Sequence, residues 1–153
     1  MGERFQFYVK YKNKNGDNRY VAIHDQWCYG DEIIQSVMYL IEWIKENPPS
    51  SLFLESDYNE FVKCVLTCRI VEGERRYKRV HVEDMYYTPE NADSNHGCAI
   101  IDVTDERDIK YAIYDVDKKL VEKSMNLENA EELYSNTCKE MMILYELSIV
   151  NKV

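Results

Sequence analysis

Residues 22–30 read AIHDQWCYG, and this run holds the densest set of chemically capable side chains in the chain. His24 and Cys28 are four residues apart with Asp25 between them. A cysteine beside a histidine can act as a thiolate with its base, and a carboxylate can orient the imidazole. No cysteine-hydrolase signature surrounds Cys28, so the expectation is a chain without catalytic residues, with His24, Cys28 and Asp25 as the alternative set. His24, Gln26, Trp27 and Tyr29 also suit a loop that contacts a small ligand or nucleotide, or a partner. A purely structural loop explains the same residues. Trp27 and Tyr29 would be amphipathic rings at a junction, Gly30 would supply a turn, and His24 and Gln26 would satisfy backbone groups.

Other constellations are thinner. His81, His96 and Cys98 lack the ligand spacing of zinc modules, so no metal and no cofactor is expected. Asp102, Asp115 and Asp117 could meet on neighbouring strands as a Mg²⁺ cluster, or equally face solvent from alternating strands. The five glycines never cluster, which excludes a phosphate-binding glycine loop. The five cysteines form no Cys-x-x-Cys pair and read as free thiols.

These residues need a scaffold, and the hydrophobic pattern supplies one. RFQFYVKYK (4–12) alternates Phe5, Phe7, Val9 and Tyr11 on one face, Asn15-Gly16 suits a hairpin turn, and RYVAIHD (19–25) returns. On the return strand Val21 and Ile23 oppose Tyr20, Ala22 and His24. Helical spacing of Ile34, Val37, Met38, Ile41 and Ile44, with Asp31 and Glu32 at the start and Pro48-Pro49 beyond the end, predicts a helix over about 31–46. Ser56-Asp57 can cap a second helix with Phe61, Cys64, Val65 and Cys68 inward, ending near Val71-Glu72-Gly73. A basic patch, Arg75, Arg76, Lys78 and Arg79, follows. YKRVHVEDMYY, CAIIDVT and DIKYAIYDVD read as strands, with the polar TPENADSNHG as a surface loop. The stripe Leu127, Ala130, Leu133, Tyr134, Cys138, Met141, Leu144 and Tyr145 predicts a last helix over about 126–147. Residues 1–153 therefore read as a single α+β domain, an antiparallel sheet with about three helices.

Composition limits the partners. Acidic residues outnumber basic ones 28 to 19, for a formal net charge of −9. Such a surface repels phosphate backbones, so direct nucleic-acid binding is disfavoured and a protein with a basic surface is favoured. No run approaches a membrane span and the N-terminal stretch is charged, so a cytoplasmic, non-membrane protein is expected. Thirteen tyrosines against four phenylalanines suit surfaces half-buried against a partner, and also suit strands.

The run VAIHDQWCYG followed by a helix ending EWIKEN resembles an H-x-Q-W-x-Y-G motif of small uncharacterised proteins encoded by bacteriophages and prophages, over about the first 45 residues. The resemblance implies a phage-borne accessory protein in the host bacterial cytoplasm, and carries no activity with it. The element order also resembles the N-terminal-nucleophile hydrolases. Those use Thr, Ser or Cys as the mature first residue, whereas Met1-Gly2-Glu3 offers none, so this resemblance implies architecture without catalysis.

The leading expectation is thus a non-catalytic acidic protein that binds and inhibits a host defence or nucleic-acid-handling protein, as anti-CRISPR proteins do. Its expected contacts are Glu72, Glu83, Asp84, Tyr86, Tyr87, Glu90, Asp93, Asp105 and Glu106. The alternative is a small-ligand or nucleotide binder or hydrolase centred on HDQWCYG. Self-association through Met141-Met142-Ile143-Leu144, giving a dimer, is a third reading.

Overall fold

Alternation along the first strand decides the architecture. In the computed structural model, which describes residues 2–51, 66, 68–71, 74–77 and 80–151, β1 (Phe5–Lys12) and β2 (Asn18–Asp25) pair antiparallel from Phe5↔Asp25 to Lys12↔Asn18. α1 (Asp31–Glu46) follows, then β3 (Cys68–Val71), β4 (Glu74–Tyr77), β5 (Val80–Glu83), β6 (Cys98–Asp102), β7 (Lys110–Tyr114), β8 (Leu120–Lys123) and α2 (Ala130–Val150). The main sheet has the order β5-β2-β1-β6-β7-β8, and β3-β4 is a separate hairpin.

The two faces of the sheet carry different cores. Phe5, Phe7, Val9, Val21, Ile23, Ala99 and Ile101 lie under α1, against Val37, Leu40, Ile41 and Ile44. Tyr8, Tyr20, Ala22, Ile100, Ala112 and Tyr114 point the other way, against Leu133, Tyr134, Cys138 and Met141 of α2. The sheet is therefore filled on both sides, as the uninterrupted apolar run of β6 requires. Most of the tyrosine excess that touches the sheet belongs to the α2 side. There each ring buries apolar area while its hydroxyl reaches an acceptor: Tyr8 Oη donates to Tyr87 O at 2.7 Å, Tyr114 Oη to Ala130 O at 2.5 Å, and Tyr20 Oη to Glu140. Asn129 caps α2 by accepting from the Glu132 N–H at 3.0 Å.

Three expectations change. The sheet is mixed, because β1 and β6 are parallel (Gln6↔Cys98 to Lys10↔Asp102). From β5 the chain returns along residues 84–97 across the α2 face and enters β6 at the end where β1 begins, so the two run together. Among the described residues there are two α-helices, and Cys68–Val71 is strand rather than the end of a helix. Pairing with β4 satisfies its backbone there. Most of the expected 56–71 helix, with Cys64, lies outside the described residues. No helix among them is long and apolar enough to cross a membrane.

The tyrosine and cysteine side of the core sets a pH limit. Burial pushes the Cys138 thiol up to about 11 from its ordinary 9.0, with Glu90 adding to it, and burial raises Cys98, Tyr8, Tyr20, Tyr114 and Tyr134 as well. The folded state holds these protons more tightly than the unfolded chain. Their stabilisation is complete below the unfolded pKa and is lost as pH rises from about 9 through 11 and beyond. Alkaline titration should show a cooperative loss of circular dichroism that coincides with the part of the tyrosinate absorbance belonging to the buried rings, the exposed Tyr29, Tyr86 and Tyr87 ionising without unfolding. Ionisation of all the tyrosines ahead of unfolding would contradict the buried assignment.

Candidate functional site

The HDQWCYG loop leaves β2 at the end of the sheet where β1 begins, and backbone bonds hold it there. Trp27 forms a parallel bridge with Glu3, the Cys28 N–H donates to Glu3 O at 2.8 Å, and the Trp27 N–H donates to Asp25 Oδ1 at 3.0 Å. The extended backbone alternates: Trp27 and Tyr29 are 50% and 52% exposed while Cys28 between them is fully buried. Gly30, at φ +58°, turns the chain into α1, a backbone geometry that L side chains rarely adopt. The Glu32 and Ile33 N–H groups then bond back to Tyr29 O and Gly30 O, each at 3.2 Å.

A second segment buttresses the loop. The His96 ring stands 5.9 Å from the Tyr29 ring and contacts the Glu3 carboxylate. Asn95 accepts from the Arg4 N–H at 2.7 Å and donates to Gly2 O at 3.2 Å, and Arg4 pairs with Asp93 at 3.2 Å. Gly97, at φ +96°, has room for no Cβ, which would sit 2.0 Å from Tyr114 O.

Beneath the loop runs a polar chain. Gln26 Oε1 lies 3.0 Å from His24 Nε2, His24 Nδ1 lies 2.5 Å from Gln6 Oε1, Gln6 Nε2 is 3.5 Å from Tyr8 Oη, and Tyr8 continues to Tyr87 O. Gln6 is 1% exposed, so its amide must be bonded at both ends. This residue escaped the sequence reading. Its signal was a glutamine between Phe5 and Phe7 on the parity of Tyr8, which marks the second face as covered.

The catalytic alternative places its members apart. His24 faces the α2 side with Gln6 and Tyr8, and both its ring nitrogens meet glutamine amides. Cys28 lies in the apolar cluster beneath α1, its Sγ 3.8 Å from Ser36 Oγ. Asp25 is buried and bonds the Trp27 amide. Asp102 and Asp115 sit at opposite ends of the β6–β7 ladder, and no group of three or more His, Cys, Asp or Glu among the described residues is placed to hold a metal ion.

The expected contact residues divide. Glu83, Asp84, Tyr86, Tyr87, Glu90 and Asp93 lie between the end of β5 and the start of β6, whereas Asp105 and Glu106 lie beyond the far end of β6, roughly 16 Å away by strand rise. Glu72 lies outside the described residues. Several of these carboxylates have local partners: Asp84 takes the Tyr86 N–H, Glu90 pairs with Lys118 at 4.0 Å, Asp105 takes the Arg107 N–H, and Glu106 takes Ser50 N–H and hydroxyl at 2.9 and 2.8 Å. Tyr86 and Tyr87 are exposed and edge-to-face at 5.8 Å, with Tyr145 of α2 5.4 Å from Tyr86. On the last helix Met141 is fully buried, whereas Ile143 of the expected seam is exposed, together with Leu147, Ile149 and Val150.

Comparison of the chain with protein-family models, with curated proteins and with solved structures finds no match in any of the three.

Proposed function

We propose that this is a non-catalytic acidic interaction protein of phage origin that binds and inhibits a host protein with a basic surface, in the manner of anti-CRISPR proteins. The observation that carries the reading is the rigid display of Trp27 and Tyr29. Two large rings stand half out of the surface on a backbone bonded to Glu3, just ahead of β1, with the intervening Cys28 buried. Aromatic anchors that need no ordering on contact are what interface hot spots are made of, because little conformational entropy is lost when they dock. Asp31 follows the loop directly, while Asp93 and Glu3 beside it face Arg4 and His96. The division of the acidic residues between two ends of the sheet favours an aromatic anchor over a continuous imitation of a phosphate backbone.

The test is capture from bacterial lysate with the wild-type chain and with a Trp27→Ala/Tyr29→Ala variant, with and without nuclease, at moderate and high salt. A stoichiometric protein held by the wild type, resistant to nuclease, weakened by salt and lost with the double variant is the expected result. Equal capture by both chains would remove the loop from the interface, and capture that vanishes with nuclease would replace the protein partner by a nucleic acid.

A further inference from the structure

We infer that His24 and His81 form a two-histidine site for a borderline divalent metal ion such as Zn²⁺ or Cu²⁺. The inference goes beyond partner binding and does not rest on it. The two residues are directly opposite on adjacent strands, β2 and β5, in the register His24↔His81. Side chains at such positions share one face of the sheet and can meet. Their rings do so, with planes 10° apart and centroids separated by 6.3 Å. Two imidazoles sharing one metal at about 2.0–2.1 Å per Zn–N bond have ring centres roughly 5–6.5 Å apart. The observed separation is at the wide end of that range, so the rings must close by about 1 Å as well as tilt from parallel to share a tetrahedral ion. His81 is exposed on the edge strand, where it has room to tilt.

The surroundings of His24 match those of a metal ligand. Its Nδ1 lies 2.5 Å from Gln6 Oε1, and in the tautomer that donates its proton there the lone pair is left on Nε2. A histidine ligand characteristically gives its other N–H to a carbonyl or carboxylate, and this bond fixes the ring and raises its basicity. Gln6 is itself buried and bonded onward to Tyr8, so the outer support is rigid. The Gln26 side-chain amide lies 3.0 Å from Nε2 and can add an oxygen donor, with water completing the coordination. A site with two imidazoles favours Zn²⁺ and Cu²⁺ over hard cations such as Mg²⁺ or Ca²⁺, whose ligands are oxygens. An ion there would tie the edge strand β5 to β2 and touch Gln26, the residue before Trp27.

The chain has three histidines, so the assignment is tractable. Zn²⁺ is titrated calorimetrically into the intact wild-type chain and into His81→Ala, His24→Ala and His96→Ala variants, with circular dichroism on each. The electron paramagnetic resonance spectrum of the Cu²⁺ form then counts the bound nitrogens. One equivalent of Zn²⁺ is expected for the wild type and for His96→Ala. His81→Ala, whose exposed side chain can be removed with the fold intact, should weaken binding by at least about tenfold, the scale on which even the outer partners of metal-bound histidines act. Its Cu²⁺ spectrum should fall from two nitrogens to one. Unchanged binding in His81→Ala, binding that follows His96 with Glu3, or no stoichiometric binding by the wild type would each overturn the site.

Discussion

Trp27→Ala should reduce affinity for the captured partner by roughly 30-fold or more, while the folded chain loses no more than about 1 kcal/mol. The asymmetry follows from where the side chain stands. Half of the residue faces water in the free protein, so alanine removes little of the core. The bonds that shape the loop survive, because they belong to the Trp27 N–H, the Cys28 N–H and the Glu3 carbonyl. What disappears is the apolar area a partner would desolvate, and a buried interface tryptophan is commonly worth 2 kcal/mol or more at about 1.4 kcal/mol per tenfold. Glu106→Ala is the matched comparison. Its carboxylate lies at the far end of β6 and holds Ser50, so its loss should leave partner affinity unchanged. Titration calorimetry on the two variants separates an anchored interface from one held by net charge. If charge alone governs, Trp27→Ala binds as the wild type does, whereas Glu106→Ala, one negative charge short, binds more weakly and with a shallower salt dependence.

The elements with a strong local pattern were legible in the sequence. The β1–β2 hairpin and α1 appear within a residue of where alternation, Asn15-Gly16 and the helical stripe put them. The last helix starts at Ala130 rather than near Asn126, because Asn129 is the residue whose side chain caps the first turn. Strand β8, LVEK, was missed: all four residues are exposed, so no alternation of burial marks it. The parallel pairing of β1 with β6 had no local signal either. It results from the course of residues 84–97 over the α2 face, which is a matter of long-range packing. At the candidate site the residue types were read correctly, but not their sides. Four positions separate His24 from Cys28, yet alternation in β2 puts the imidazole toward α2, and the loop puts the thiol under α1. The polar chain through Gln6 was invisible until the second covered face was known, since a glutamine in an amphipathic strand ordinarily faces water.

Because β1 is covered on both sides, neighbouring positions on it should report on different cores. Phe7→Ala should cost about 3–5 kcal/mol, a large part of the roughly 5–15 kcal/mol that holds a domain together. Phe7 is fully buried, stacks edge-on against Phe5 at 4.9 Å and lies between Ile23 and Ala99 on the adjoining strands. A cavity there cannot collapse easily, since both neighbours are fixed by the sheet and α1 closes the space above. Tyr8→Phe, one residue on, keeps the ring and removes only the hydroxyl. Its expected cost is smaller, about 1–3 kcal/mol, and arises from the Tyr87 carbonyl and the Gln6 amide that lose a partner. Urea unfolding distinguishes the two: Phe7→Ala should lower the midpoint far more than Tyr8→Phe, with the slope unchanged in both. Amide exchange should then respond around α1 for the first and along residues 84–97 for the second. Equal midpoints would mean that the α1 face contributes less than its burial implies, and that the tyrosine face is the principal core.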